Sequence, residues 1–337
     1  MRPADAAAAC KTIYEWADQH GLLDTALAYA EAWAYCSAES AEAAATAGQI
    51  CMRAGYDARA VMWLYRARAI ARVTKDEVWT IRSRLRTGIL LLHLGRTNAA
   101  RTVLRKVASR AMKAGLSELA GKAHHDLLLS YATDPAGYAK AISHLEQALR
   151  HYPVRNARIP YLIHDFAVIL IRNGAYREAL RTLEAVYPHI PPSNRIIIHA
   201  TTARACAGIR DRDGFARGAA LVERATALSE ESASFALLHV AEGARLLDEW
   251  DLAERYAAAG LQIAMKRHES DVIRVAYDII DSVTTRAQLK IALVADTQVK
   301  ATVDRCLDRL AKLRVPTAKR RSAAFPASQV VSTAWVP

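Results

Sequence analysis

The chain has 337 residues, 52% of them apolar, with 46 Lys and Arg against 34 Asp and Glu for a net charge of +12. That length is too great for one small core and suits two compact domains or one elongated array. Only 10 Pro and 14 Gly are present, no Pro falls between Pro3 and Pro135, and apolar residues recur at helical spacing, so β classes are excluded and an all-α fold is expected.

The five cysteines (Cys10, Cys36, Cys51, Cys206, Cys306) are odd in number and form no Cys-x-x-Cys pair. They read as small core residues of a protein kept in a reducing, cytoplasmic setting. The opening MRPADAAAAC is too polar for a secretory leader. The longest apolar runs, Ile89 to Leu92 and Ala167 to Ile171, are about a quarter of a membrane span, so no membrane partner is expected.

In chain order, one helical pattern keeps returning. It starts weakly at GLLDTALAYAEAW with Ala26 and Ala30, then sharpens at GYDARAVMWLYRARAI with Tyr56, Ala60, Leu64 and Ala67. Ala100, Leu104 and Val107 carry it after Gly95, and Tyr138, Ala141, Leu145, Ala148 and Pro153 after Gly137. Tyr176, Ala179, Leu183, Val186 and Pro188 follow Gly174, and weaker copies centre on Phe215 and Trp250. Each copy is preceded by a partner helix with a small residue seven positions before the turn, as Gly48 precedes Gly55 and Gly88 precedes Gly95. Small residues at fixed positions let two helices approach closely, and Gly or Asp between them ends one helix and begins the next. Turn positions are 34, 40, 41, 38, 39 and 35 residues apart, which predicts a helix–turn–helix unit of about 34 residues with extra residues between units.

After Ala264, two or three longer helices are expected at 265–283, 285–296 and 297–314, apolar at Val272, Val275, Ile279, Val303, Leu307 and Leu310. They read as a terminal cap. From Val315 the chain is polar and Pro-punctuated with the basic triplet Lys319-Arg320-Arg321, which reads as a disordered tail with VVSTAWV as a docking peptide. The organisation expected is a repeat array over 1–264, capping helices over 265–314 and a basic tail over 315–337.

This pattern resembles the tetratricopeptide repeat family, whose order of small residue, Gly, aromatic, Ala, Leu and Ala is matched by Gly48, Gly55, Tyr56, Ala60, Leu64 and Ala67. The resemblance covers residues 6 to 264 and is strongest at 41–74, 118–153 and 160–192, although the family's first-helix Trp is absent from most units. It implies a right-handed α-solenoid of about seven repeats with a C-terminal helical cap. It also implies a non-enzymatic scaffold that takes a peptide or protein segment in its concave groove. A looser likeness to bacterial regulators that join such repeats to an N-terminal DNA-binding domain suggests a stand-alone sensor or adaptor, because the first forty residues already read as repeat-like helix.

Catalytic and cofactor signals are weak. No phosphate-binding loop, dinucleotide fingerprint or Gly-x-Ser-x-Gly elbow occurs, so neither a cofactor nor enzymatic chemistry is expected. His124 and His125 point about 100° apart on a helix, one expected in a seam and one exposed, which disfavours a shared metal. His164-Asp165 reads as a surface pair.

Charge is more informative. From Val78 to Ser117 there are nine Lys or Arg and no acid, among them Arg82, Arg84, Arg86, Arg101, Arg105, Lys106 and Arg110. Such a stretch offers a surface to an acidic peptide or, as the alternative reading, to nucleic acid. A basic residue also recurs near the end of the first helix of most units: Arg53, His93, Arg172, Arg210 and Arg245. A helix C-terminus favours a cation, and the resemblance places these positions toward the groove, with Arg82, Arg86, Ile89, Tyr161 and Phe235 as companions. The partner expected is a protein or peptide of acidic character; homodimerisation is left open.

Overall fold

The computed structural model describes residues 3–131, 134, 137–228, 232–287 and 296–313. The tail expected at 315–337 lies outside them, as does most of the helix expected at 285–296. The described residues form sixteen α-helices and two short 3-10 turns, with no strand among them. They divide after Ser130 into two compact units.

The first unit holds α1 (Pro3–Gln19), α2 (Leu23–Cys36), α3 (Ala41–Arg53), α4 (Asp57–Val73), α5 (Glu77–His93), α6 (Thr97–Lys113) and α7 (Ser117–Ser130). Neighbours in sequence pack as antiparallel pairs, and the first helices of successive pairs also touch, α3 with α5 and α5 with α7. The hairpin expected at 118–153 is therefore divided, since its two helices belong to different units.

The turns explain the regularity. Tyr56 N donates to Cys51 O at 2.8 Å and Gly55 N to Met52 O at 3.1 Å, a double bond that caps the last carbonyls of α3 and needs a left-handed residue at Gly55 (φ 76°). The same pair of bonds recurs at Lys75, Gly95 and Gly115. These left-handed residues lie 20 positions apart, and α4, α5 and α6 have 17 residues each. The residues beyond the 34-residue unit thus sit inside the helices, not between units. About three more residues per helix add nearly one full turn, so the buried face stays in phase. Ser40 and Asp76 cap the starts of α3 and α5 by accepting from Ala43 N and Trp79 N.

The small residues work as the sequence requires. A Cβ at Gly48 would meet Leu64 Cγ at 2.9 Å, and one at Gly88 would meet Leu104 Cδ2 at 2.6 Å. The repeated Leu of each second helix fills the space opposite the repeated Gly of the first. Glu31 of α2 ties this unit together by accepting from Trp63 Nε1 at 2.8 Å and pairing with Arg59.

The second unit holds α8 (Tyr138–His151), α9 (Ile159–Arg172), α10 (Tyr176–Val186), α11 (Arg195–Gly208), α12 (Arg212–Leu228), α13 (Ala233–Leu246), α14 (Trp250–Lys266), α15 (Ser270–Thr284) and α16 (Asp296–Ala311). Two 3-10 turns, Tyr187–His189 and Pro192–Asn194, join α10 to α11. First helices again lie side by side in the order α9, α11, α13, α15. α16 returns to α9 and α10, where Asp304 pairs with Arg181 at 2.9 Å and Arg309 Nη2 donates to Tyr152 O at 2.7 Å. Arg305 reaches Glu146 of α8 at 2.7 Å.

Leu104 is fully buried and cannot yield to a larger neighbour. Gly88→Val should therefore lower stability by about 1–3 kcal/mol, read as a lower urea midpoint with unchanged helical circular dichroism at zero denaturant.

Candidate functional site: a polar stripe along the first helices

Counting back from each left-handed turn residue exposes a stripe. Positions two, six, nine and thirteen residues before it share one helix face, because steps of four and three residues keep close to whole turns. Before Gly95 they are His93, Ile89, Arg86 and Arg82 of α5; before Gly174, Arg172, Val168, Asp165 and Tyr161 of α9. Before Arg210 they are Gly208, Arg204, Thr201 and Ile197 of α11; before Asp248, Leu246, Glu242, His239 and Phe235 of α13. Arg53 holds the first place on α3.

In the second unit this stripe concentrates buried cations. Arg204 is 5% exposed, Arg245, which stands beside the stripe at three residues before Asp248, is 6% exposed, and Arg172, partly exposed as a residue, has its Nε sealed from solvent. Glu242 is the carboxylate that acts on all three: it forms an ion pair with Arg204 and supports the charge of Arg172 and Arg245. Burial, with the Arg204 charge second, pushes the Arg172 guanidinium down to about 10. Arg245 is lowered too, chiefly by burial, and its Nη2 donates to Ala287 O at 2.9 Å. Nε of Arg204 and of Arg245 have no hydrogen-bond partner.

His239 lies inside this cluster, packed on Phe235 with ring centroids 4.5 Å apart. Burial, then Arg204, Arg172 and His164, push its imidazole well below the ordinary value. The neutral ring presents Nδ1 to Arg204 Nη1 at 3.5 Å, which places its proton on Nε2, a buried atom with no partner. Tyr161 accepts from Asn194 Nδ2 at 3.0 Å at the head of the stripe.

One set of three looks catalytic and is not. His164 Nδ1 lies 3.1 Å from Asp165 Oδ1, and its Nε2 lies 3.4 Å from Thr201 Oγ1. The Thr201 hydroxyl donates to Ile197 O at 2.8 Å, so toward the imidazole it can only accept, the reverse of an activated nucleophile. All three side chains are buried, so the surface pair expected at His164-Asp165 is an interior one. His124 and His125 are likewise both buried, where one was expected outside, because every residue of α7 from Leu119 to Ser130 except Lys122 is buried. Among the described residues no cluster of His, Cys, Asp and Glu could hold a metal ion. No described helix is long and apolar enough to cross a membrane.

The first unit has its own, better balanced stripe. Arg53 pairs with Asp18 of α1, and Arg86 faces Tyr14. Burial pushes Arg86 down to about 10, and burial with the Asp18 charge pushes Tyr14 up to about 12. Arg82 and Arg86 flank the Trp79 ring at 5.0 and 5.7 Å.

The structure therefore brings Arg82, Arg86, Ile89 and His93 onto one helix face and Tyr161 and Arg172 onto another, while Phe235 holds the position on α13 that Tyr161 holds on α9. Arg210 departs from expectation. It is itself the left-handed turn residue (φ 62°), exposed and paired with Asp248 at 2.8 Å. The turn falls at 210, so the first helix before the copy centred on Phe215 ends earlier than the repeat spacing suggests. Arg204 went unread for the same reason, since its register appears only once that turn is placed; His239 and Glu242 precede the turn at Asp248 and were marked by neither the repeat nor a charge run.

The acid-free stretch 78–117 is not a free cationic surface. Arg110 is held by Glu77, one residue outside it, through two bonds of 2.6 Å, and Arg101 donates to the Ser130 carbonyl. Arg86 turns inward, Arg84 is half-buried, and Arg82, Arg105 and Lys106 are exposed.

No protein-family model matches the chain, and no curated protein matches it. Among solved structures it is similar to the crystal structure of the TPR domain of P58(IPK), at 15% identity over 91% of this chain and 98% of that one. The TM-score is 0.25, so the helical-hairpin architecture rests on this chain's own helices and turns.

Two outcomes follow from the charge balance. Glu242→Ala leaves three buried cations without their carboxylate and should cost about 3–5 kcal/mol, whereas Arg204→Met removes one cation of the excess and should cost less; thermal unfolding ranks them. Because the folded state keeps His239 neutral, the unfolded chain binds more protons below the ordinary histidine value of 6.5. Stability is full above that pH and declines beneath it, by up to about 1.4 kcal/mol per pH unit for this residue. His189 and His199, lowered by burial, act in the same direction, so in melts at pH 7.5 and 5.5 His239→Gln should remove only its own share.

Proposed function

We propose that the chain is a non-enzymatic binding scaffold whose first-helix stripe takes an acidic segment of a partner protein or peptide. The observation that supports this reading is the cluster of cations on α9, α11 and α13: the guanidinium groups of Arg172, Arg204 and Arg245 gather around the carboxylate of Glu242. Sealing guanidinium groups from water costs several kcal/mol each unless anions answer them, and a carboxylate matches the guanidinium fork in charge and geometry. The unpartnered N–H groups of Arg204, Arg245 and His239 supply donors for it. Tyr161 and Phe235 add apolar contact area, a mixture suited to an extended or helical peptide. A regulatory adaptor in the cytoplasm is the role this binding would serve.

Capture on the immobilised full chain, with and without nuclease, followed by titration of the captured peptide, tests the reading. Arg172→Ala and Tyr161→Ala should each weaken binding, the former by more than about tenfold because a buried charge pair loses one member. Arg105→Glu on the exposed face of α6 should leave affinity unchanged. A ligand lost on nuclease treatment, or equal losses for Arg172→Ala and Arg105→Glu, would falsify it.

A further inference from the structure

α4 is apolar on two opposite faces. Ala60, Trp63, Leu64, Ala67 and Ala71 form the buried one. The other carries Ala58, Val61, Met62, Tyr65, Ala69 and Val73, all exposed, with Val61 at 50%, Met62 at 72%, Tyr65 at 67% and Val73 at 84%. At 100° per residue these six fall within an arc about 120° wide, a complete second stripe. Scattered exposed apolar residues need no explanation, but a contiguous helical stripe containing Met and Tyr has the composition of an interface core.

The flanks of the stripe are cationic and unequal. On one side Arg59 is answered by Glu31, and Arg66 lies over the Trp63 ring at 5.2 Å. On the other, Arg68 stands over Tyr65 at 5.5 Å, exposed Arg72 lies within the arc itself between the directions of Val61 and Tyr65, and Arg84 and Arg110 stand on the next two helices. These four charges are close enough that Arg110, Arg68 and Arg72 all depress Arg84, after burial. Glu77, the carboxylate of this flank, is taken up by Arg110.

We infer that this outer face of α4 docks an amphipathic helix of a partner protein, apolar along one stripe and carrying carboxylates where it meets Arg68, Arg72 and Arg84. The charge selects the occupant. A second copy on a twofold axis would set Arg68 and Arg72 against themselves, whereas carboxylates satisfy the face that Glu77 leaves short. The exposed stripe runs from Ala58 to Val73, about 24 Å at 1.5 Å per residue, which matches a partner helix of about four turns. The surface is separate from the first-helix stripe and does not depend on what that stripe binds.

The test uses the full chain and two labelled synthetic helices of about four turns with the same Leu stripe, one flanked by Glu and one by Lys, followed by fluorescence anisotropy. The Glu-flanked helix should bind the wild type, about tenfold or more better than the Lys-flanked one. Met62→Glu with Tyr65→Glu should abolish that binding, and Arg172→Ala should leave it intact. Arg68→Glu with Arg72→Glu should reverse the preference toward the Lys-flanked helix, a gain that a misfolded variant could not show. Equal binding of both helices, or none, overturns the proposal. So does a dimer in sedimentation that Met62→Glu dissociates, or binding to phosphatidylserine vesicles that competes the Glu-flanked helix away.

Discussion

The left-handed turn that closes α3, α4, α5 and α6, and recurs in the second unit, sets the register on which the rest of the structure depends. A left-handed residue, two backbone bonds to the last carbonyls and a three-residue connection reverse the chain and start the next helix at a fixed rotation. Once that is repeated at Gly55, Lys75, Gly95 and Gly115, the position of every side chain relative to its neighbours follows. Leu64 must meet Gly48, and Leu104 must meet Gly88. Arg82, Arg86, Ile89 and His93 must share a face.

That same register makes the polar stripe energetically expensive in the second unit. Arg204 and Glu242 occupy the same place on α11 and α13, six residues before their turns, so they lie side by side and pair. Arg172 and Arg245 join from neighbouring positions and draw on the same Glu242 carboxylate. The first unit solves the same problem differently, by giving Arg53 an aspartate and Arg86 a phenol and an indole face. The electrostatic cost of the second unit therefore sits in the same atoms that the proposed binding would use.

The two apolar faces of α4 show how a helix can carry structure and recognition at once. Its inner face is fixed by Ala60, Leu64 and Ala67, the residues of the repeated pattern. Its outer face plays no part in that pattern, so it was free to carry Met62 and Tyr65 and to gather arginines. A search for the repeat passes over these residues for that reason. The acid-free stretch misled in the opposite way. Linear charge suggested an open cationic surface, yet Glu77 reaches Arg110 from 33 positions away in the chain.

The sequence by itself determined what short-range physics controls. Helical spacing, the absence of proline, glycine at turns and small residues opposite leucine were legible because each acts within one turn of helix or across one hairpin. So was the common face of Arg82, Arg86, Ile89 and His93 on α5, whose turn is marked by Gly95. Tertiary structure alone decided which charges meet. Arg204 and Glu242 are paired across 38 residues, α16 returns to α10 across the 123 residues that separate Arg181 from Asp304, and α7 parts from α8 between the two units. It also moved Arg210 out of the stripe, because a non-glycine residue can adopt the left-handed turn conformation without announcing it in the sequence. Local preferences are written residue by residue, whereas long-range partners are selected only when the helices pack.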